Sequence, residues 1–152
     1  MEGHSDLKLE AYPAATRSST EEIDGIQTSA TCIEFADKLL ITISQDGRLA
    51  HWVHVLLNSS LPDPSTAPLQ VNSDAGESLL PPISHLTATT ILGGADATRD
   101  TVAQLLARQI AAMVQLKRNE EQRLVVVGLG LRKGEMDRGE WLGLLGVASA
   151  VL

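Results

Sequence analysis

The first half of the chain alternates strand-like apolar runs with short polar breaks. These runs lie at about 26–35, 38–45 and 48–57. The break between the last two is Asp46-Gly47, a dipeptide typical of a two-residue hairpin turn because glycine readily takes a positive φ. The pattern therefore predicts an antiparallel meander of three strands.

The second half begins with a short strand-like run at 86–91 and continues into a predicted helix. Asp96 or Thr98 can cap this helix, which we expect to end near Lys117. Inside it, apolar residues recur every three or four positions, as on one face of an amphipathic helix. They are Val102, Leu105, Leu106, Ile110 and Met113.

The last part of the chain predicts one more strand and one more helix. The uninterrupted apolar run 124–127 is typical of an interior strand that is covered on both faces. The apolar stretch 135–152 predicts a final helix, despite its three glycines. The order β-β-β-loop-β-α-β-α indicates an α+β domain, with an antiparallel sheet and two helices packed on one face.

Two segments have no regular hydrophobic period and divide the chain into regions. Residues 1–24 predict a flexible N-terminal tail, in which Leu7, Leu9 and Tyr12 could dock or add an edge strand. Residues 25–152 predict a single domain. Five of the six prolines lie in 58–85, which predicts a long loop inside that domain.

Hairpin geometry assigns residues to the two faces of the meander. If Asp46-Gly47 is a two-residue loop, Ile41 pairs with Trp52, and paired residues share a face. If Ala36-Asp37 is also a two-residue loop, Cys32 pairs with Ile41 and Ala30 pairs with Ile43. The face assigned to the helices carries Ala30, Cys32, Leu39, Ile41, Ile43, Ala50 and Trp52. The opposite face carries Thr31, Ile33, Leu40, Thr42, Leu49, His51, Val53 and Val55.

The opposite face is half apolar, and the sequence offers no further helix to cover it. We therefore expect another protein to cover it, although single apolar side chains scattered over a surface are also common. The candidate partner-binding residues are Ile33, Leu40, Thr42, Leu49, His51, Val53 and Val55.

Composition and charge narrow the classes of partner. The 152 residues suit one domain, and a net charge of −7 argues against nucleic acid or an anionic membrane as the main partner. The single cysteine, Cys32, excludes an internal disulfide framework. The acidic, polar N-terminus does not resemble a signal peptide, and we expect a protein of the cytoplasm or nucleus.

The sequence predicts no catalytic group, cofactor or metal site. His51 and His54 lie three apart on one predicted strand, so they face opposite sides of the sheet and cannot share a metal. Gly93-Gly94 before a helix is the only enzyme-like feature, because free N–H groups at a helix start can hold phosphate. A small phosphate- or nucleotide-binding enzyme that uses this loop is therefore one alternative reading.

Several segments together resemble the proteasome assembly chaperone 3 family. They are GIQTSATCIEF at 25–35, the aliphatic strand and turn LLITISQDG at 39–47, TILG at 90–93 with the helix after it, and LVVVGLGL at 124–131. The resemblance spans roughly 25–57 and 88–152. Residues 103–108, AQLLAR, also resemble the sister family, proteasome assembly chaperone 4.

The resemblance implies a non-catalytic chaperone that forms a heterodimer with its sister chaperone, with a homodimer as the alternative for the chain in isolation. In this picture two sheets stack with the helices outside, and the dimer binds a proteasome alpha-type subunit, alpha-5, early in alpha-ring assembly. A generic protein-interaction module acting in some other complex is the second alternative.

Overall fold

A computed structural model describes residues 14–57 and 83–152 and contains six strands and two helices. The strands are β1 (Ala15–Ile23), β2 (Ile26–Glu34), β3 (Lys38–Gln45), β4 (His51–Val55), β5 (Ala88–Leu92) and β6 (Leu124–Gly130). The helices are α1 (Ala97–Lys117) and α2 (Arg138–Ser149). The predicted α+β class is confirmed.

The six strands form one mixed sheet in the order β1-β2-β3-β6-β4-β5. The pair β3–β6 is parallel and the other neighbouring pairs are antiparallel. Because β6 lies between β3 and β4, the predicted meander is correct for β2–β3 and wrong for β3–β4. The interior position predicted for β6 is confirmed.

Two Asp-Gly dipeptides adopt the same turn but have different consequences. Asp24-Gly25 has φ values of 50° and 71° and joins β1 to β2 as a hairpin. Asp46-Gly47 has φ values of 53° and 72°, and the Arg48 N–H donates to the Gln45 carbonyl at 3.2 Å. The predicted turn conformation is therefore present after β3, although no β3–β4 hairpin follows it.

After the Asp46-Gly47 turn the chain passes across the end of β6. The Ala50 N–H donates to the Leu129 carbonyl at 2.9 Å, which starts the pairing of β4 with the far side of β6. A Cβ atom at Gly130 would collide with the carbonyl oxygen of Arg48. Glycine at this position therefore permits the close crossing.

The N-terminal strand differs from the predicted tail. The sequence places residues 1–24 in a flexible tail, but Ala15–Ile23 forms β1 and pairs along the whole of β2. Leu7, Leu9 and Tyr12 lie outside the described residues, as does most of the predicted loop at 58–85.

Both helices pack on one face of the sheet, as predicted. Helix α1 lies over β4, β5 and β6, and α2 lies over β1, β2 and β3. Between helices and sheet lies a core of buried aliphatic side chains, which includes Ala30, Cys32, Leu39, Ile41, Ile43, Val53, Val55, Val125, Val127 and Leu129. Burial raises the pKa of the Cys32 thiol, which agrees with its predicted place in the core.

Helix α1 begins where the sequence signals place it, whereas α2 begins at Arg138, three residues after the predicted start. The Asp96 carboxylate accepts hydrogen bonds from the N–H groups of Thr98 and Arg99 and caps α1. Asp137 and Glu140 form a capping box at the start of α2. Gly143 of α2 allows close approach to the sheet, because a Cβ there would lie 3.1 Å from a side-chain carbon of Ile23.

A network of charges fixes one end of the sheet to the end of α1. The Glu34 carboxylate accepts hydrogen bonds from Arg118 at 2.8 Å and 3.0 Å, from Arg123 at 3.4 Å and also from Arg17. The hydrogen bonds from Arg118, followed by those from Arg17 and Arg123, lower the pKa of Glu34 to about 2.

Replacing Glu34 by glutamine is expected to lower the free energy of unfolding by about 1–2 kcal/mol at pH 7, because solvent screens the partly exposed arginines. Its folded pKa, about 2, lies below the ordinary 4.5. The ionised carboxylate therefore stabilises the fold above about pH 5, and that contribution is lost as the pH falls towards 2.

Urea unfolding at a series of pH values measures this contribution. Glu34→Gln should lose less stability than the parent chain between about pH 5 and pH 2. Glu22→Gln, which changes an exposed carboxyl on β1, is the control and should follow the parent chain. The prediction would be contradicted if the free energy of unfolding of Glu34→Gln fell as steeply with decreasing pH as that of the parent chain.

Candidate interaction surface

The sheet surface turned away from the helices is the candidate site, and we call it the open face. Its two central rows follow from the strand register. The first row runs Ile33, Leu40, Val126, His54, and the second runs Thr31, Thr42, Gly128, Trp52. Every residue of these rows except Gly128 is partly exposed, so the described part of the chain leaves this face accessible.

Three of the predicted partner-binding residues lie on the open face. They are Ile33, Leu40 and Thr42 on β2 and β3. The predicted register of these two strands is confirmed, since Cys32 pairs with Ile41 and Ala30 pairs with Ile43.

Three other predicted residues lie on the wrong side of the sheet. His51, Val53 and Val55 face the helices and are 8%, 0% and 0% exposed. The physical reason is the inserted strand: Val53 pairs with Val127, which pairs with Ile41 of the core face. The side assignment of β4 is therefore reversed, and Trp52, expected under the helices, lies on the open face.

Leu49 belongs to neither face of the sheet. It lies in the crossing segment between β3 and β4 and is 44% exposed. Ala50, predicted on the helix face, lies in the same segment and is also exposed.

Sequence reasoning missed three apolar residues of the open face: Leu124, Val126 and Trp52. Trp52 packs over Gly128, where a Cβ would lie 2.7 Å from the indole ring. The run 124–127 was a usable signal, because an interior strand beside β3 must contribute alternate residues to both faces.

The open face changes character from one edge to the other. At the β1–β2 side, hydroxyl pairs join the strands, with Ser18 to Thr31 at 3.1 Å and Thr20 to Ser29 at 3.0 Å. At the other edge, β5 carries Ile91 and Leu92, which are 56% and 63% exposed. The apolar part of the surface therefore extends from Ile33 of β2 across β3, β6 and β4 to Leu92, which pairs with Trp52 at the β5 edge.

Close packing and a helix cap shape the Gly93-Gly94 loop. Gly93 has a φ of 93° and passes so close to Ala50 that a side chain would collide with its carbonyl oxygen. The Asp96 carboxylate already occupies the N–H groups of Thr98 and Arg99 at the start of α1. Gly93 therefore permits a tight turn, and the cap occupies two of the N–H groups at the start of α1.

Within residues 14–57 and 83–152, no group of three or more histidine, cysteine or acidic side chains could hold a metal ion. His51 and His54 lie on opposite faces of β4, as their spacing predicts. Neither described helix combines the length and the apolarity needed to cross a membrane.

Comparison with known proteins gives a likeness of fold. No family model matches the chain, and no curated protein matches its sequence. A chain of the crystal structure of a novel chaperone complex for yeast 20S proteasome assembly matches with a TM-score of 0.54 and 14% identity. The match covers 88% of this chain and 95% of that chain. The protein therefore has the fold of a subunit of a proteasome assembly chaperone complex.

Proposed function

We propose that the protein is a non-catalytic chaperone of proteasome assembly. It pairs with a sister chaperone through the open face and binds a proteasome alpha-type subunit, alpha-5, during early alpha-ring assembly. The observation that carries the proposal is a partly apolar, accessible sheet face on a chain with the fold of a proteasome assembly chaperone subunit.

The open face suits a second sheet better than solvent. Ile33, Leu40 and Val126 lie in one cross-strand row, and Trp52 lies in the next row. A second sheet stacked about 10 Å away would bury these side chains between the two layers. The helices would then lie outside, which agrees with the arrangement that the family resemblance implies.

The acidic surface is suited to the encounter with the alpha-type subunit. A net charge of −7 steers the chain towards a basic patch and speeds association, and salt weakens this effect. The chaperone role needs no nucleotide, since such a protein works by occupying surface that later subunits then cover. The proposed place of action is the cytoplasm or the nucleus.

The test is mass spectrometry of the proteins that co-purify with the tagged full-length chain. We expect a second chaperone in about equal amount and proteasome alpha-type subunits, including alpha-5, at low and high salt. Recovery of a different, defined complex without proteasome subunits would contradict the proposal and favour the general interaction module. Recovery of the chain alone at low salt would contradict it as well.

A further inference from the structure

A cavity of about 110 Å³ lies between the start of β4, the end of β6 and the first turns of α1. Val102, Ala103, Leu129 and Leu131 form an apolar part of its wall, and His51 forms a polar part. The cavity is on the helix side of the sheet, so it is separate from the open face. Cavities of about 150 Å³ bind benzene, so this one, which is open to solvent on one side, holds most of a ring of that size and leaves the rest at its opening.

His51 is held in one orientation by an acidic partner. The residue is 8% exposed, and its Nε2 lies 2.9 Å from Oδ1 of Asp100. Gln104 donates to Oδ2 of Asp100 at 2.8 Å, and the Thr90 hydroxyl donates to Oδ1. These hydrogen bonds, that of Thr90 first, lower the pKa of Asp100, so it is an ionised acceptor at neutral pH.

The hydrogen bond to Asp100 fixes the tautomer of neutral His51. An ionised carboxylate only accepts, so Nε2 carries the hydrogen and Nδ1 keeps a free lone pair. Nδ1 has no hydrogen-bond partner among the described residues, and it lies beside Gly93, another residue of the cavity wall. Nδ1 is reachable from the cavity, so a hydroxyl of a bound molecule can donate to it in place of water.

The two cations near the cavity are already engaged. The Arg99 guanidinium donates to the carbonyl groups of Leu131 and Arg132, at 3.1 Å each. The Lys133 ammonium donates to Asp24 at 2.5 Å and to Glu140 at 2.7 Å. The cavity therefore offers an acceptor and apolar walls, which suit an uncharged ligand better than an anion.

We propose that this cavity binds a small uncharged molecule that carries a hydroxyl donor on a compact apolar body, of about the size of phenol. The hydroxyl donates to Nδ1 of His51, and the apolar body packs against Val102, Ala103 and Leu129. The inference concerns the isolated chain and does not depend on the proposed chaperone role.

The test compares phenol with toluene, which has the same shape and no donor. Each is titrated into the full-length protein while the imidazole nitrogen resonances of His51 are followed by NMR. Phenol is expected to move the Nδ1 resonance in a saturable way and to bind about three- to tenfold more tightly than toluene, the range that corresponds to one net hydrogen bond.

Two variants of α1 locate the binding. Val102→Phe places a larger side chain in the cavity and should weaken phenol binding at least about tenfold. Leu116→Phe, at a position 70% exposed on the same helix, is the matched control and should leave binding unchanged. If Val102→Phe fails to fold, the comparison of phenol with toluene in the parent chain still tests whether a hydroxyl binds Nδ1 of His51.

Three results would overturn the inference. The first is equal affinity for phenol and toluene, which would show that Nδ1 takes no part. The second is the absence of any response of His51 to phenol. The third is a shift of the same resonances by inorganic phosphate at a lower concentration than phenol. That result would show an anion site and would favour the hypothesis of a phosphate-binding loop at Gly93-Gly94.

Discussion

Aspartate at both Ile33 and Leu40 is expected to weaken binding of the proposed partner chaperone by more than about a hundredfold. The two residues pair across β2 and β3 on the open face, and Leu40 also pairs with Val126. A second sheet stacked there would have to bury two carboxylates without partners, at a cost of about 1–3 kcal/mol or more each. A loss of about 2.7 kcal/mol already corresponds to a hundredfold.

The double variant should keep its fold, because both side chains are only partly buried in the isolated chain. Circular dichroism and a thermal melt test this point before binding is measured. Binding is then measured as the amount of partner chaperone that the tagged variant recovers, relative to the parent chain.

Leu116→Asp is the matched control for this experiment. It introduces the same charge at an exposed leucine of α1, on the helix side of the molecule. Recovery of the partner by this control and not by Ile33→Asp with Leu40→Asp would support the open face as the interface. Full recovery by a folded double variant would show that the partner binds elsewhere.

Local signals in the sequence predict the elements and part of the register. The cap at Asp96 and the end of α1 at Lys117 lie where side-chain chemistry places them. The two-residue connection at Ala36-Asp37 sets the β2–β3 register, and with it the side on which Ile33 and Leu40 lie. These features depend on neighbours within a few residues, so a single sequence is sufficient to find them.

The position of β6 is a long-range feature that contradicts a local signal. Asp46-Gly47 indicates a hairpin, and the turn itself forms. The apolar run 124–127 needs a strand on each side, and the two central places beside it are taken by β3 and β4. The pairing of β6 with β3 and β4 joins residues about 80 positions apart in the sequence. A turn dipeptide indicates only the pairing of the strands on either side of it.

The misplaced strand explains why the site prediction was only partly correct. Inserting β6 removes the direct β3–β4 register, so the sides assigned through Asp46-Gly47 no longer apply to β4. A shift of one residue exchanges the two faces of a strand. His51, Val53 and Val55 therefore move under the helices, and Trp52 and His54 take their place on the open face.

The missed strand β1 has a different cause. Its residues are exposed on both faces along most of its length, so the sequence lacks the alternation of apolar and polar residues that marks a half-buried strand. The Asp24-Gly25 dipeptide was the available signal. It consists of the same two residue types as Asp46-Gly47, from which a turn is predicted. An edge strand rich in threonine and serine is better recognised by its turn than by its hydrophobic pattern.

Aspartate at Val53 is expected to unfold the protein, whereas aspartate at the next residue, His54, is expected to be tolerated. Val53 is 0% exposed and pairs with Val127 under α1, so its replacement would bury a carboxylate among aliphatic side chains. We expect a loss of about 5 kcal/mol or more, which equals the whole stability of a domain at the lower end of the usual range of about 5–15 kcal/mol. His54 is partly exposed on the open face, and we expect a change within about 1 kcal/mol there.

The pair of variants separates the two topologies, because the predicted β3–β4 hairpin reverses the expected results. In that hairpin Val53 would face outward and His54 would pair with Leu39 of the core. Thermal melts and urea unfolding of Val53→Asp and His54→Asp, measured side by side, therefore report on the position of β6. A folded Val53→Asp together with an unfolded His54→Asp would show that β4 pairs with β3, and would return Val53 and Val55 to the surface that a partner can reach.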